Sequence, residues 1–453
     1  MPNTFAYLTL ICWPVLALLI YRVRNLSTLA ATFWVVVGGY LILPVKAQID
    51  LPMLPSLNQI TIPAISAAVC CVFVRRVPIK LIPDRGIVRW LYICLLLAPL
   101  LSVLANPLPM FDGAQEKPGL SLYDALADTM ATYLKTLPLL LGLSLVKSTE
   151  DIAKLLKLMV YAVILYSPLI LLEIRISPQL HTWIYGFFPH QFSQQIRFDG
   201  FRPVVFLGHG LLVAIFVAVS LCATAILWRH KYRLSNLPLG FFILYLAAIL
   251  ILCKAVGAWI LGLGALICIV TLSPRLQAWV CVLVTLFVLA YPLLAINGLI
   301  PYKNLTDFAS IFGQDRSQSV AFRFMHEAAL LEHAAKKIEF GWGIWGRHQL
   351  NGSVSDGYLI QILGVYGLWG YIANAGLLLA IILRAAKSIK RLPDPRARGL
   401  MGGALSILML MMVDQIPNTS ITPYFWLIFG GVMGAAAQMD RVAAGARKGL
   451  RIA

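Results

Sequence analysis

The 453-residue chain is 60% hydrophobic and only 12% charged, with a mean hydropathy of +0.82 and a formal charge of +18. A water-soluble domain, whose charged fraction is about a quarter, cannot hide that much apolar surface; repeated apolar runs near twenty residues long indicate a polytopic helical membrane protein. The runs do not alternate with polar residues, which argues against a membrane β-barrel. The positive charge reads as basic cytoplasmic turns and not as a nucleic-acid surface.

In chain order, spans are expected near 4–21, 29–45, 60–74, 90–106, 126–146, 153–174, 203–228, 238–253, 255–273, 276–296, 357–384, 399–414 and 422–438. The expected fold is an all-α polytopic membrane protein of about 12–13 transmembrane helices, one membrane domain over 1–453. The first run lacks a basic leader and continues into further spans, so no cleaved signal peptide is expected. Alternate connections carry Arg22 and Arg24; Arg75, Arg76, Lys80, Arg85 and Arg89; Lys147 and Lys154; Arg229, Lys231 and Arg233; Arg275; the basic loop 385–398; and a tail with Arg441, Arg447, Lys448 and Arg451. The positive-inside rule puts all of these in the cytoplasm, with the N-terminus outside and the C-terminus inside. Two substantial loops then face outward, 175–202 and the larger 297–356. The eight cysteines, among them Cys70, Cys71, Cys253 and Cys281, lie in or at the ends of apolar runs and read as small core residues; no metal-ligand spacing and no cofactor motif is present.

The outer loops hold cations where few are expected. The first has Arg197 and Arg202 in RFDGFRP; the second has Arg323, Lys336, Lys337 and Arg347, with His326, His333 and His348. A bound anion explains them, and the planar fork of arginine suits a diphosphate. Segment 319–338 reads as an amphipathic helix in an outer cap, with Arg323, His326, Leu330, His333 and Lys337 on one stripe and Phe324, Ala328, Leu331 and Ala335 on an apolar one. Lys336 and Lys337 fit lipid headgroups as well as a ligand. The glycines of GWGIWG, 341–346, allow close approach to a phosphate but also simply make turns; Trp342 and Trp345 suit the membrane interface.

Three ionisable residues fall close to or within spans: His209, Lys254 and Asp414. Such groups face a cavity or a partner; a snorkelling Lys254, a hydrogen-bonded His209 and a turn-capping Asp414 are the plain alternatives. Asp356 opens the span DGYLIQILGVYGLWG, either as a helix N-cap or as a carboxylate that accepts a proton beside the basic cluster.

In this order, RFDGFRP, CKAVGAW, Arg323 with its helix, GWGIWG and DGYLIQILGVYGLWG resemble the O-antigen ligase and Wzy-type polysaccharide polymerase superfamily of bacterial inner-membrane proteins, over roughly 180–380. The resemblance implies a metal-independent, membrane-embedded glycosyltransferase with its active site facing the periplasm. Its donor is a glycan on a polyprenyl diphosphate and its acceptor a second glycan, with a flippase and a chain-length regulator as possible partners. It implies that Arg197, Arg202 and Arg323 hold the diphosphate. Lys254 and Arg347 are further candidates for that contact, and Asp356, or else His326 or His209, is expected to take the acceptor proton. Ligases commonly carry His, often followed by Asn, where this chain has Asp356-Gly357, which favours an exopolysaccharide or O-antigen polymerase over a ligase acting on a lipid A-core acceptor. The competing readings are a proton-coupled transporter of an anionic solute, against which stand the large outer loop and the lack of inverted repeats, and a non-catalytic subunit of an envelope complex.

Overall fold

A computed structural model describes residues 1–449 apart from 52–54, 85, 114, 235–237, 312 and 354–356, with backbone alone at 315, 316 and 441–449. Its helices are α1 (Thr4–Arg22), α2 (Thr28–Ile42), α3 (Thr61–Phe73), α4 (Ile87–Leu104), α5 (Leu122–Leu145), α6 (Thr149–Ile176), the short α7 (Leu180–Tyr185), α8 (Gly210–Arg229), α9 (Leu239–Leu252), α10 (Val256–Thr271), α11 (Pro274–Ile296), α12 (Tyr302–Ser310), α13 (Gln314–Ala335), α14 (Tyr358–Ile389), α15 (Pro395–Val413) and α16 (Pro423–Gly449). Three antiparallel two-stranded hairpins complete it: β1 (Gln48–Ile49) with β2 (Leu57–Asn58), β3 (Met110–Asp112) with β4 (Gln115–Lys117), and β5 (Ile196–Arg197) with β6 (Gly200–Phe201).

The chain is an all-α, multi-pass membrane protein. Helices α1, α4, α6, α8, α11, α14 and α15 are long and apolar enough to cross a bilayer, and α2, α3, α9 and α10 are shorter apolar helices. At 1.5 Å per residue the shorter ones reach only about 20–24 Å, less than the hydrocarbon thickness of about 30 Å. A helix stands at each of the thirteen expected positions, with shifted ends. The seventh begins at Gly210 and not near 203, because Arg202 to His209 form turns that bring His209 to the N-cap. The amphipathic helix starts five residues before the expected 319 and ends at Ala335. Its apolar stripe is only partly as expected: Leu331 is buried, but Ala328 and Ala335 are exposed, and the covered face is Leu330, Leu331, His333 and Ala334.

Local chemistry sets the helix starts. Ser121 and Asp124 form a capping box on α5, Ser148 caps α6, and Ser273-Pro274 and Asp394-Pro395 open α11 and α15; each satisfies otherwise orphaned amides. The core is nearly continuous and centres on α8, which is almost wholly covered by its neighbours. Helices α5 and α16 touch backbone to backbone, since a Cβ at Gly142, Gly430 or Gly434 would collide with the carbonyls of Leu427, Leu139 or Val146. This is small-residue packing of the kind that replaces the hydrophobic drive inside lipid.

The two ends of the bundle differ. One gathers the basic turns, tied by Arg75 to the carbonyls of Val23 and Leu26, by Tyr232 to Glu150 and by Arg384 and Arg391 to Asp440. The opposite end carries the hairpins and α7, α12 and α13, and forms a cap.

Helix α14 is not one rod. Gly367 stands at φ 62°, ψ −162° and divides it into 358–366 and 368–389. The freed backbone groups bond to the segment before α14: Trp342 N–H to Gly364 O (2.8 Å), Gly343 N–H to Val365 O (2.9 Å), and Trp369 N–H to Glu339 O (3.1 Å). Non-helical backbone at this depth persists only where protein supplies such partners.

Candidate functional site

The first outer loop is organised by a buried carboxylate. Glu173, in the last turn of α6, accepts backbone N–H groups from Leu180 (2.9 Å), Val204 (2.7 Å) and Val205 (2.7 Å). Charge-assisted bonds of this kind hold both ends of the loop against the bundle. Between them, β5 and β6 turn through Phe198 and Asp199, both at positive φ as a tight hairpin requires. Lys254, in the α9–α10 turn, donates to Phe198 O at 3.0 Å and fills the space a side chain at Gly200 would need. The two sequence fragments RFDG and CKAVG are therefore one constructed feature.

Next to it lies a cluster of cations. Arg202 is 6% exposed and Gln195 is wholly buried, both side-chain atoms of the latter without a hydrogen bond among the described residues. His209 caps α8 by accepting Leu211 N–H at Nδ1 (3.1 Å), and its ring meets that of His190 edge-on at 4.7 Å. Burial pushes the His209 imidazole down to about 3, helped by the charges of Arg202, His190, Arg323 and Arg197. Arginines from both outer loops thus act on a single ring. Neutral, with Nδ1 occupied as an acceptor, His209 carries its proton on Nε2. That makes it a hydrogen-bond donor to an anion and a poor base, which counts against the basic role expected of it.

Arg323 also lines a half-open cavity of about 740 Å³ between α10, α11, α12, α13, the start of α14 and the α15–α16 turn. Its walls are mostly apolar, with Ile260, Phe287, Leu294 and Leu305 among them. The polar exceptions are Arg323, Glu327, Tyr291, Asp414 and Asn418. Glu327, one turn after Arg323, accepts the hydroxyls of Tyr291 (2.5 Å) and Tyr302 (3.1 Å), and burial raises its carboxyl above the ordinary glutamate value. Asp414 is engaged otherwise: it accepts Asn418 Nδ2 at 2.7 Å and the Ser420 hydroxyl, and so caps the α15–α16 turn.

Five expected site residues are thus brought together: Arg197, Arg202, Arg323, Lys254 and His209. His326 is on the Arg323 stretch of α13, its ring edge-on to Phe322 at 4.2 Å and its buried Nε2 without a hydrogen bond among the described residues. Asp356 lies outside the described residues; Gly357, which follows it, lines the cavity.

Arg347 stands apart. It is 1% exposed and donates to Trp342 O (3.1 Å), Pro118 O (2.6 Å) and Asn106 Oδ1 (3.4 Å). Its guanidinium ties the GWGIWG turn to the 105–118 connection, a structural task instead of a diphosphate contact. His333 and Lys337 belong to the same knot: His333 stacks on Trp342 at 4.3 Å, and Lys337 donates to Ala105 O and Asn106 Oδ1. Trp345 is exposed and donates to Asp124 Oδ1 at 2.8 Å.

Sequence reasoning missed Glu327, His190 and Gln195. Glu327 had a visible signal, since a carboxylate four residues after Arg323 shares its helical face. His190 and Gln195 had none, because their nearness to His209 arises from the loop that Glu173 holds.

No protein-family model matches the chain, and no curated protein matches it.

Proposed function

We propose that the protein transfers a glycan from a polyprenyl diphosphate to a second glycan, as a Wzy-type polymerase of exopolysaccharide or O-antigen repeats. The supporting observation is Arg323: it lines an apolar cavity of about 740 Å³ and its charge converges on His209 with those of Arg197 and Arg202. A long hydrocarbon with a multiply charged head is the ligand that such a pair of features suits. In this reading the basic end faces the cytoplasm, the cap faces the periplasm of a bacterial inner membrane, and the donor arrives after flipping.

The reaction is a direct displacement. An acceptor hydroxyl attacks the anomeric carbon, a new C–O bond forms, and the bond from that carbon to the diphosphate oxygen breaks with inversion. The electron pair stays on the departing polyprenyl diphosphate, where Arg197, Arg202 and Arg323 stabilise the growing charge; preorganised donors of this kind contribute most to such reactions. Neutral His209 adds a hydrogen bond without adding charge. The hydroxyl proton goes to a carboxylate. Glu327 is placed for this by the cavity it shares with Arg323, and its raised pKa brings it closer to the working pH of a general base. Asp356 is the candidate that sequence alone supplies.

The deciding experiment is Arg323→Ala in a strain lacking the wild-type chain. The variant should insert into the membrane normally and leave single repeats on their lipid carrier. Polymer of normal length would refute the proposal, whereas long lipid-linked chains awaiting transfer in the deletion strain would favour a ligase.

A further inference from the structure

A second cavity, of about 480 Å³, lies on the other side of the half-helix 358–366. The two cavities share walls. Gly357 and Ile360 face the first, and Tyr358, Gln361, Val365 and Tyr366 face the second; the α15–α16 turn likewise gives Asp414, Ile416, Pro417 and Asn418 to the first and Thr419, Ile421 and Thr422 to the second. The second cavity is more polar than the first, although Ile60, Leu95, Ile344 and Trp426 also line it. Asp128, Thr132, Lys135 and Thr136 line it from α5, over eight residues or about 12 Å of helix rise.

Polar groups inside a membrane bundle are costly unless they are used. Two pairs are satisfied: Tyr366 donates to Asp128 Oδ2 at 2.8 Å, and Asn374 Nδ2 donates to the Tyr358 hydroxyl at 2.9 Å. Two groups are not. Asn374 is 2% exposed, and its Oδ1 has no hydrogen bond among the described residues; nor does the buried Nδ1 of His348. Both line the cavity, as do the indoles of Trp345 and Trp426.

Resting on the glycosyl-transfer reading above, we propose that this cavity seats the sugar at the acceptor end. A pyranose presents hydroxyls that both donate and accept, which matches a wall mixing carboxylate, amide, hydroxyl and imidazole, and its C–H faces pack on indole. The volume falls within the range of about 300–1,000 Å³ usual for small-molecule sites. The half-helix then separates donor from acceptor, and the two substrates meet at its head, beside Gly357. The Asp128–Tyr366 and Asn374–Tyr358 pairs position the sugar; neither is assigned to the bond-making step.

The test compares Asn374→Leu, Gln361→Ala and Arg323→Ala in two measurements: glycan elongation in cells, and binding of geranylgeranyl diphosphate to the purified protein as a probe of the donor cavity. Asn374→Leu and Gln361→Ala should lower elongation by about tenfold or more, the loss of one hydrogen bond to a buried ligand group, and leave probe affinity within about twofold. Arg323→Ala should lose both. If Asn374→Leu fails to accumulate, Gln361→Ala, a milder truncation at the cavity wall, decides. Normal elongation by Gln361→Ala and any Asn374→Leu that accumulates, beside a defective Arg323→Ala, overturns the acceptor site and spares the transfer reading. Normal elongation by Arg323→Ala overturns both. Loss of probe binding in Gln361→Ala makes the cavity part of the donor site and overturns the assignment. So does proton uptake by vesicles holding the protein that Asp128→Asn abolishes, which would mark the cavity as a carrier's route.

Discussion

Arg323 and Glu327 stand four residues apart on α13 and line the same apolar cavity, the carboxylate held there by the hydroxyls of Tyr291 and Tyr302. In the proposed reaction the two would serve as the cation for the leaving group and the base for the nucleophile, on adjacent turns. A base works only when deprotonated, and Glu327 titrates above the ordinary value of 4.5. Elongation in membrane vesicles should therefore fall as pH drops through a midpoint above 4.5. Glu327→Gln should abolish that limb and slow the reaction by about 10²–10⁴-fold. A Glu327→Gln variant with an unchanged pH profile would transfer the role to another carboxylate.

His209 ties stability to pH. Its folded value is about 3 against 6.5 unperturbed, so between those limits the unfolded chain binds the extra proton and the folded one does not. Stability then rises with pH across that window and is lost on acidification. For one group the slope is about 1.4 kcal/mol per pH unit, or about 1–2 °C in Tm for a chain of this size. Melting the detergent-solubilised protein from pH 7 to pH 4 should reveal the decline, and His209→Gln should flatten it. Equal slopes for the two proteins would show that the ring is not held neutral.

Arg347 is predicted to matter for folding and not for the diphosphate. Removing its side chain in Arg347→Ala leaves the partly buried carbonyls of Trp342 and Pro118 without their donor, a loss of about 2–3 kcal/mol. Thermal melting should show a clear drop, while the folded fraction binds geranylgeranyl diphosphate as the parent does. A stable Arg347→Ala with weakened binding would place it at the ligand after all.

The sequence made the bundle legible and the site half so. Apolar length alone locates the helices, since lipid forces backbone groups to pair within each segment. Cations on the cap end could be picked out as exceptions, and Arg197, Arg202, Arg323 and Lys254 do converge. Arg347 looked identical in composition, and only its carbonyl partners across the 105–118 connection separate it from them. The apolar stripe of α13 was misjudged at Ala328 and Ala335, because burial there follows tertiary neighbours and not helical period alone. The second cavity was invisible, since its walls come from α5, α14, α16 and the loop at 344–348, which no local pattern links.

Gly367 offers a sharp structural test. Its φ and ψ belong to a region essentially restricted to glycine, and an added Cβ would stand 2.5 Å from Glu339 C and Phe340 N. Gly367→Ala should destabilise the protein by about 2–4 kcal/mol, read as a lower Tm. Gly264→Ala in the interior of α10, where a Cβ meets nothing within 4 Å, should be neutral or slightly stabilising. Equal melting of the two variants would mean that α14 can straighten.

The same break makes α14 depend on a neighbour for its own backbone. Residues 338–343 supply the groups that bond around Gly367. Without them the open amides and carbonyls there would cost several kcal/mol each inside lipid. Helix α14 is thus not self-contained. The wall between the two cavities is only as firm as the docking of the loop that braces it.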